Sequence, residues 1–124
     1  MAQQVVRNAP PFDDVVIRRI MEFYSCDRPN EIRTLLASMP RLIPILNELP
    51  AKIRCLFGRD RPLRLDIAAD PEFPSEKQIL VYVSAEADAE VSWNDAERRI
   101  HQLQTDWLSH LPRADTRGFN LEVE

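Results

Sequence analysis

The chain has 124 residues, 44% of them hydrophobic and 29% charged, with a net charge of −4. That balance suits one folded domain with a core that needs neither disulfides nor a structural metal, and it excludes a low-complexity or intrinsically disordered chain. The negative net charge argues against a dedicated nucleic-acid binder, and apolar runs of about five residues fall far short of the roughly 20 that cross a bilayer.

The charge is segregated along the chain. Residues 1–64 carry 11 Lys or Arg against 7 Asp or Glu, whereas residues 65–124 carry 5 against 13. A basic helical layer packed beside an acidic layer explains this, and so does a surface of one sign that faces a partner. Residues 1–11, MAQQVVRNAPP, hold one charge and two prolines and read as a flexible tail ahead of a single α+β domain over 12–124. The tail has the form of neither a secretion signal nor an anchor, so the expected location is cytoplasmic. Cys26 and Cys55 then read as reduced thiols.

Asp13 or Asp14 caps a first predicted helix that runs to about Tyr24, with Val16, Ile17, Ile20 and Met21 on its apolar side. Residues 25–30 read as a turn. Pro29 suits the first turn of a second helix, where a missing N–H costs nothing, and Ile32, Leu35, Leu36 and Met39 form its stripe. Leu42, Leu46, Leu49, Ile53 and Leu56 step by 4, 3, 4 and 3 through Pro44 and Pro50. An interior Pro50 forfeits a hydrogen bond and crowds the carbonyl of Leu46, so a kink or a junction of two helices is expected at Leu49-Pro50. Gly58 ends this run in the left-handed conformation.

Leu63, Leu65 and Ile67 alternate with polar neighbours, which is the period of a strand with one buried face. A polar loop of about seven residues leads to a second strand, Gln78 to Ser84, in which Ile79, Val81 and Val83 point one way and Leu80 and Tyr82 the other. Ser92 with Asp95 forms a capping-box variant for a helix predicted over Ser92–Leu111. Its stripe of Trp93, Ala96, Ile100, Leu103, Trp107 and Leu111 faces the core. A final strand follows Gly118 with Phe119, Leu121 and Val123 inward. N-terminal helices are thus followed by a β-β-α-β unit with a small three-stranded, mostly antiparallel sheet. The favoured strand order places the last strand beside the first, and a parallel crossover beside the second is the alternative.

No catalytic constellation is legible. Two glycines exclude a Walker loop and a dinucleotide fingerprint, and the two histidines and two cysteines reproduce no zinc spacing. His101 and His110 fall on opposite sides of one helix, and Ser84, Ser92 and Ser109 each have a structural explanation. Glu86, Asp88 and Glu90 alternate as calcium ligands would, but without the glycine and distal Glu of a calcium loop they read as a solvated charge run. No catalytic, cofactor-binding or metal-binding residue is assigned, no cofactor is expected, and the weight falls against an enzyme.

Lys52, Arg54, Arg59, Arg61 and Arg64 form the one basic cluster. With the outward Leu80 and Tyr82 they make the candidate interaction patch, for a protein partner or a second copy. The leading expectation is a non-enzymatic interaction protein or accessory subunit of a small bacterial system. The alternative is a small-molecule binder or weak enzyme with a cleft between helices and sheet near Arg59, Arg61 and Glu86. Nucleic-acid contact through residues 52–64 is a third reading, and it lacks interleaved aromatic residues.

The segments Asp70-Pro71-Glu72, Thr105-Asp106-Trp107-Leu108, Leu111-Pro112-Arg113-Ala114 and Leu121-Glu122-Val123-Glu124 resemble the C-terminal half of small bacterial α+β proteins with no assigned activity. The resemblance implies a helix-then-strand ending and carries no site residue.

Overall fold

The computed structural model describes residues 14–69, 72–73, 75–85 and 92–124. Its helices are α1 (Asp14–Met21), α2 (Pro29–Ser38), α3 (Ile43–Phe57), α4 (Trp93–Asp106) and the short α5 (Arg113–Thr116); its strands are β1 (Ser25–Cys26), β2 (Leu63–Ala69), β3 (Lys77–Val83) and β4 (Phe119–Val123). Short 3-10 turns over Pro40–Leu42 and Leu108–His110 enter α3 and follow α4. The class is α+β as predicted, and no helix among the described residues is long and apolar enough to cross a membrane. The expected tail over residues 1–11 and the acidic run Glu86, Asp88 and Glu90 lie outside the described residues.

The sheet corrects the prediction of three mostly antiparallel strands. It has four strands in the order β1-β2-β3-β4, with β1 parallel to β2, β2 antiparallel to β3 and β3 parallel to β4. The last strand therefore lies beside β3, the crossover arrangement, because β2 already carries β1 on its other side. The strand β3 is interior to the sheet, with Ile79, Val81 and Val83 buried on the core face and Leu80 and Tyr82 half-buried on the other. The two-residue β1 falls within the stretch predicted as a turn, too short to leave a periodic signal.

Alternation selects the faces. Leu63, Leu65, Ile79, Val81, Val83 and Leu121 are buried, and the helices pack over them through Ile17, Ile20, Ile32, Leu36, Leu46, Leu49, Ile53, Ala96, Ile100 and Leu103. The predicted inward set of β4 is correct in direction, with Leu121 buried and Phe119 and Val123 half-buried. Gly118 enters β4 at φ +84, a conformation that disfavours any side chain, and its carbonyl accepts the Ile79 N–H at 2.8 Å.

Helix α4 begins as predicted, with the Ser92 hydroxyl accepting the Asp95 N–H at 3.2 Å. It ends at Asp106 instead of Leu111. Trp93 is 47% exposed, a correction to its place on the buried stripe, and Trp107 is only half-buried under the ammonium of Lys52, 5.3 Å from the ring centroid. The core stripe is the narrower set Ala96, Ile100 and Leu103.

Helix α3 runs through Pro50 as one element, so of the kink or junction of two helices expected at Leu49-Pro50 the junction is excluded. The physical reason lies in a residue far away in sequence. Pro50 has no N–H for the carbonyl of Leu46, one turn earlier, and that carbonyl instead accepts the buried Tyr24 hydroxyl at 2.7 Å. Burial pushes the Tyr24 phenol well above its ordinary range, so it remains a neutral donor. Gly58 terminates the helix as predicted, at φ 78, donating its N–H to Arg54 at 2.8 Å.

Tyr24→Phe leaves the Leu46 carbonyl buried and unsatisfied, and equilibrium denaturation is expected to show a loss of about 1–3 kcal/mol. In a Pro50→Ala background residue 50 regains an N–H for that carbonyl, so the same substitution should cost less than about 1 kcal/mol. Equal costs in the two backgrounds would show that the hydroxyl does not stand in for the missing amide.

Candidate functional surface

The face of the sheet opposite the core carries no helix among the described residues. Its side chains come from the even-numbered positions of three strands: Arg64, Asp66 and Ala68 of β2, Gln78, Leu80 and Tyr82 of β3, and Asn120, Glu122 and Glu124 at β4 and its end. Cross-strand register sets Tyr82 between Arg64 and Glu122, and Leu80 between Asp66 and Asn120. Leu80 and Tyr82 are half-buried at the centre of this face, while Asn120, Glu122 and Glu124 are exposed.

Arg64 organises the centre. Its guanidinium lies 4.3 Å from the Tyr82 ring centroid and reaches Glu124 at 2.8 Å and Asp66 at 3.3 Å. A guanidinium over an aromatic face with carboxylates at its edge satisfies both the stacking and the donor fork of arginine. Glu124 and then Asp66 raise the Arg64 pKa, so the side chain stays charged. Arg28, in the short link between β1 and α2, donates to Asp66 at 2.6 Å and to the Ile67 carbonyl at 3.0 Å. The Arg28 bond first, then the Ile67 N–H at 2.8 Å and Arg64, hold the Asp66 carboxyl below the usual carboxylate range.

Both edges of the sheet are blunted. On β4 the Gly118 carbonyl and the Glu124 N–H bond to β3, so by alternation the N–H and C=O of Leu121 face outward. The Leu121 N–H is taken by the Asn120 side chain at 2.9 Å, and its carbonyl by the Gln104 amide at 2.9 Å. The opposite edge is the two-residue β1. Side-chain capping and short edge strands both suppress strand addition, which leaves the open face as the extended backbone-free surface of the sheet.

The predicted patch Lys52, Arg54, Arg59, Arg61, Arg64, Leu80 and Tyr82 separates into three places. Lys52 lies over Trp107, and Arg54 bonds Asp60 at 2.7 Å on the exposed side of α3. Arg59 is exposed in the following loop, whereas Arg61 is 6% exposed, 4.4 Å from the Phe57 ring centroid, and donates to the Ser84 carbonyl at 2.6 Å. Only Arg64, Leu80 and Tyr82 come together, and they gather Arg28, Asp66, Glu122 and Glu124. The outward alternation of Arg64 and Asp66 was available in the sequence; nothing in it marks Arg28, which the two-residue β1 brings to the sheet. Among the described residues, the basic side chains of the predicted patch therefore form no continuous track for a phosphate backbone.

The alternative of a reactive cleft near Arg59, Arg61 and Glu86 falls partly outside the described residues, since Glu86 is among those not described. A groove of about 510 Å³ between α2 and the sheet is lined by Asn30, Glu31, Thr34, Leu35, Ser38, Ile67 and Lys77. Its two hydroxyls donate to carbonyls of their own helix, Thr34 to that of Asn30 and Ser38 to that of Leu35. No cluster of three metal-ligating side chains occurs among the described residues.

Comparison of the chain with protein-family models, curated proteins and solved structures finds no match, so the resemblance drawn above rests on its quoted residues alone.

Because Asp66 is held ionised by its folded partners, its contribution to stability is complete above the ordinary carboxylate range and is lost as pH falls through the depressed folded value. Asp66→Asn should accordingly flatten the acid side of the stability–pH curve while leaving the slope above neutral pH unchanged. Acid titrations of both proteins by circular dichroism measure this, and coincident acid limbs would show that the Arg28 contact is absent in solution.

Proposed function

We propose that this protein is a non-enzymatic interaction subunit and that the open face of its sheet is the surface that engages the partner. The observation that carries this reading is the face that no helix covers among the described residues, with Leu80 and Tyr82 at its centre, in a sheet two of whose three strand pairings are parallel. Parallel pairings are usually covered on both faces, and a half-buried Leu–Tyr pair ringed by ordered ion pairs has the make-up of an interface centre with a polar rim. The capped β4 edge supports a face-to-face mode of contact over strand addition. The alternative of a weak enzyme draws no comparable support, because both groove hydroxyls are engaged with backbone carbonyls of their own helix.

A photo-crosslinking amino acid replacing Leu80 in cells that express the protein naturally should give discrete covalent adducts of higher mass. The same group replacing Ala51, exposed on α3, should not. Absence of adducts at position 80, or the same adducts from both positions, would overturn the assignment of the face.

A further inference from the structure

We infer that the trough running along one end of the sheet, from α2 to α5, binds a small phosphate monoester whose body has an apolar face and free hydroxyls. This site lies on the helix-covered side of the sheet and is separate from the open face. What singles out an anion is where the cations of the acidic half of the chain go. Residues 65–124 hold five Lys or Arg, namely Lys77, Arg98, Arg99, Arg113 and Arg117, against 13 Asp or Glu. Three of those five, Lys77, Arg113 and Arg117, come to this end of the sheet, where Arg41 from the 3-10 turn before α3 joins them.

The trough is continuous. The groove of about 510 Å³ between α2 and the sheet shares Leu35 and Lys77 with a depression of about 560 Å³ that Met39, Arg41, Glu76 and Arg117 also line. That depression in turn shares Ala114 and Arg117 with the one that Arg113 lines. Four cations thus line the α5 end against a single carboxylate, Glu76. Such a set repels itself, and a bound dianion relieves the repulsion. Arg41 is already held in place, because its guanidinium donates to the Arg117 carbonyl at 2.9 Å. Arg117 reaches Glu76 at 3.6 Å, a loose pair between two exposed side chains, and among the described residues Lys77 and Arg113 have no carboxylate partner. Glu76 therefore occupies the place that a ligand anion takes. A phosphate monoester brings nearly two negative charges and three acceptor oxygens, and guanidinium forks engage such oxygens in pairs.

The α2 end defines the body of the ligand. Leu35 and Ile67, half-buried, give the groove an apolar floor. Thr34 and Ser38 spend their hydroxyl hydrogens on carbonyls of their own helix, which leaves their oxygens as acceptors for hydroxyls of the ligand. A volume of about 510 Å³ suits a small molecule. Because the cations are exposed and screened by salt, the dissociation constant should lie near about 0.1–1 mM.

The test is an NMR titration of the full chain, following backbone amides, with adenosine 5′-monophosphate, ribose 5-phosphate, adenosine and inorganic phosphate at physiological ionic strength. Both phosphate esters should saturably shift the amides of Leu35–Ser38, Lys77 and Ala114–Arg117, and adenosine and inorganic phosphate should bind about tenfold more weakly or less. Lys77→Glu and Arg113→Glu, both at exposed positions, should each weaken binding by about tenfold, and Glu76→Gln, which frees Arg117, should tighten it about threefold. Arg98→Glu makes the same charge reversal on α4 and should leave the affinity unchanged. No saturable shift from either ester up to about 10 mM, esters bound no tighter than inorganic phosphate, or an equal loss from Arg98→Glu overturns the site. None of these variants touches Leu80, so the crosslinking at the open face is decided separately.

Discussion

The Tyr24 hydroxyl bonded to the Leu46 carbonyl is the contact on which the arrangement of the other elements depends. Pro50 deprives the middle of the longest helix of an amide, and a carbonyl buried in the core without a donor would be costly. Tyr24 supplies the donor from the segment just after α1, and the next two residues are β1. One hydrogen bond thus fastens the N-terminal helix to α3 and delivers Ser25–Cys26 to the flank of β2.

From that placement the open face follows. With β1 on one side of β2, the last strand goes to the far side of β3, and β3 becomes interior. Leu80 and Tyr82 then stand in the middle of a face that no helix covers among the described residues, instead of at an edge. Arg28, two residues beyond β1, arrives beside Asp66, and the network of Arg28, Asp66, Arg64 and Glu124 runs from the link after β1 through β2 to the residue after β4. Surface ion pairs of this kind contribute little to stability one by one, and their effect is to order long side chains around an aromatic ring. Order of that kind lowers the entropic cost of presenting a surface to a partner.

The same logic separates the two basic groups along the chain. Arg61 and Arg99 flank the Phe57 ring and serve packing between α3, the β2 approach and α4, while Arg64, three residues after Arg61, serves the open face. Sequence proximity grouped Arg61 with Arg64. The onset of strand β2 at Leu63 sends them to different environments.

Local periodicity and termini were legible from residues alone: α2 with Pro29 in its first turn, the Ser92 cap, the Gly58 stop, and the inward sets of β2, β3 and β4. These depend on short-range geometry, on 3.6- and 2-residue repeats, and on which residues tolerate a left-handed backbone or accept an orphan amide. The continuity of α3 through Pro50, the existence of β1, the exposure of Trp93 and the strand order depended on contacts between residues 20 or more apart. In the candidate surface, Arg64, Leu80 and Tyr82 carried a sequence signal because strand alternation points them outward. Arg28 carried none, because what places it is a hydroxyl bonding to a carbonyl that a proline left open, an event written only in three dimensions.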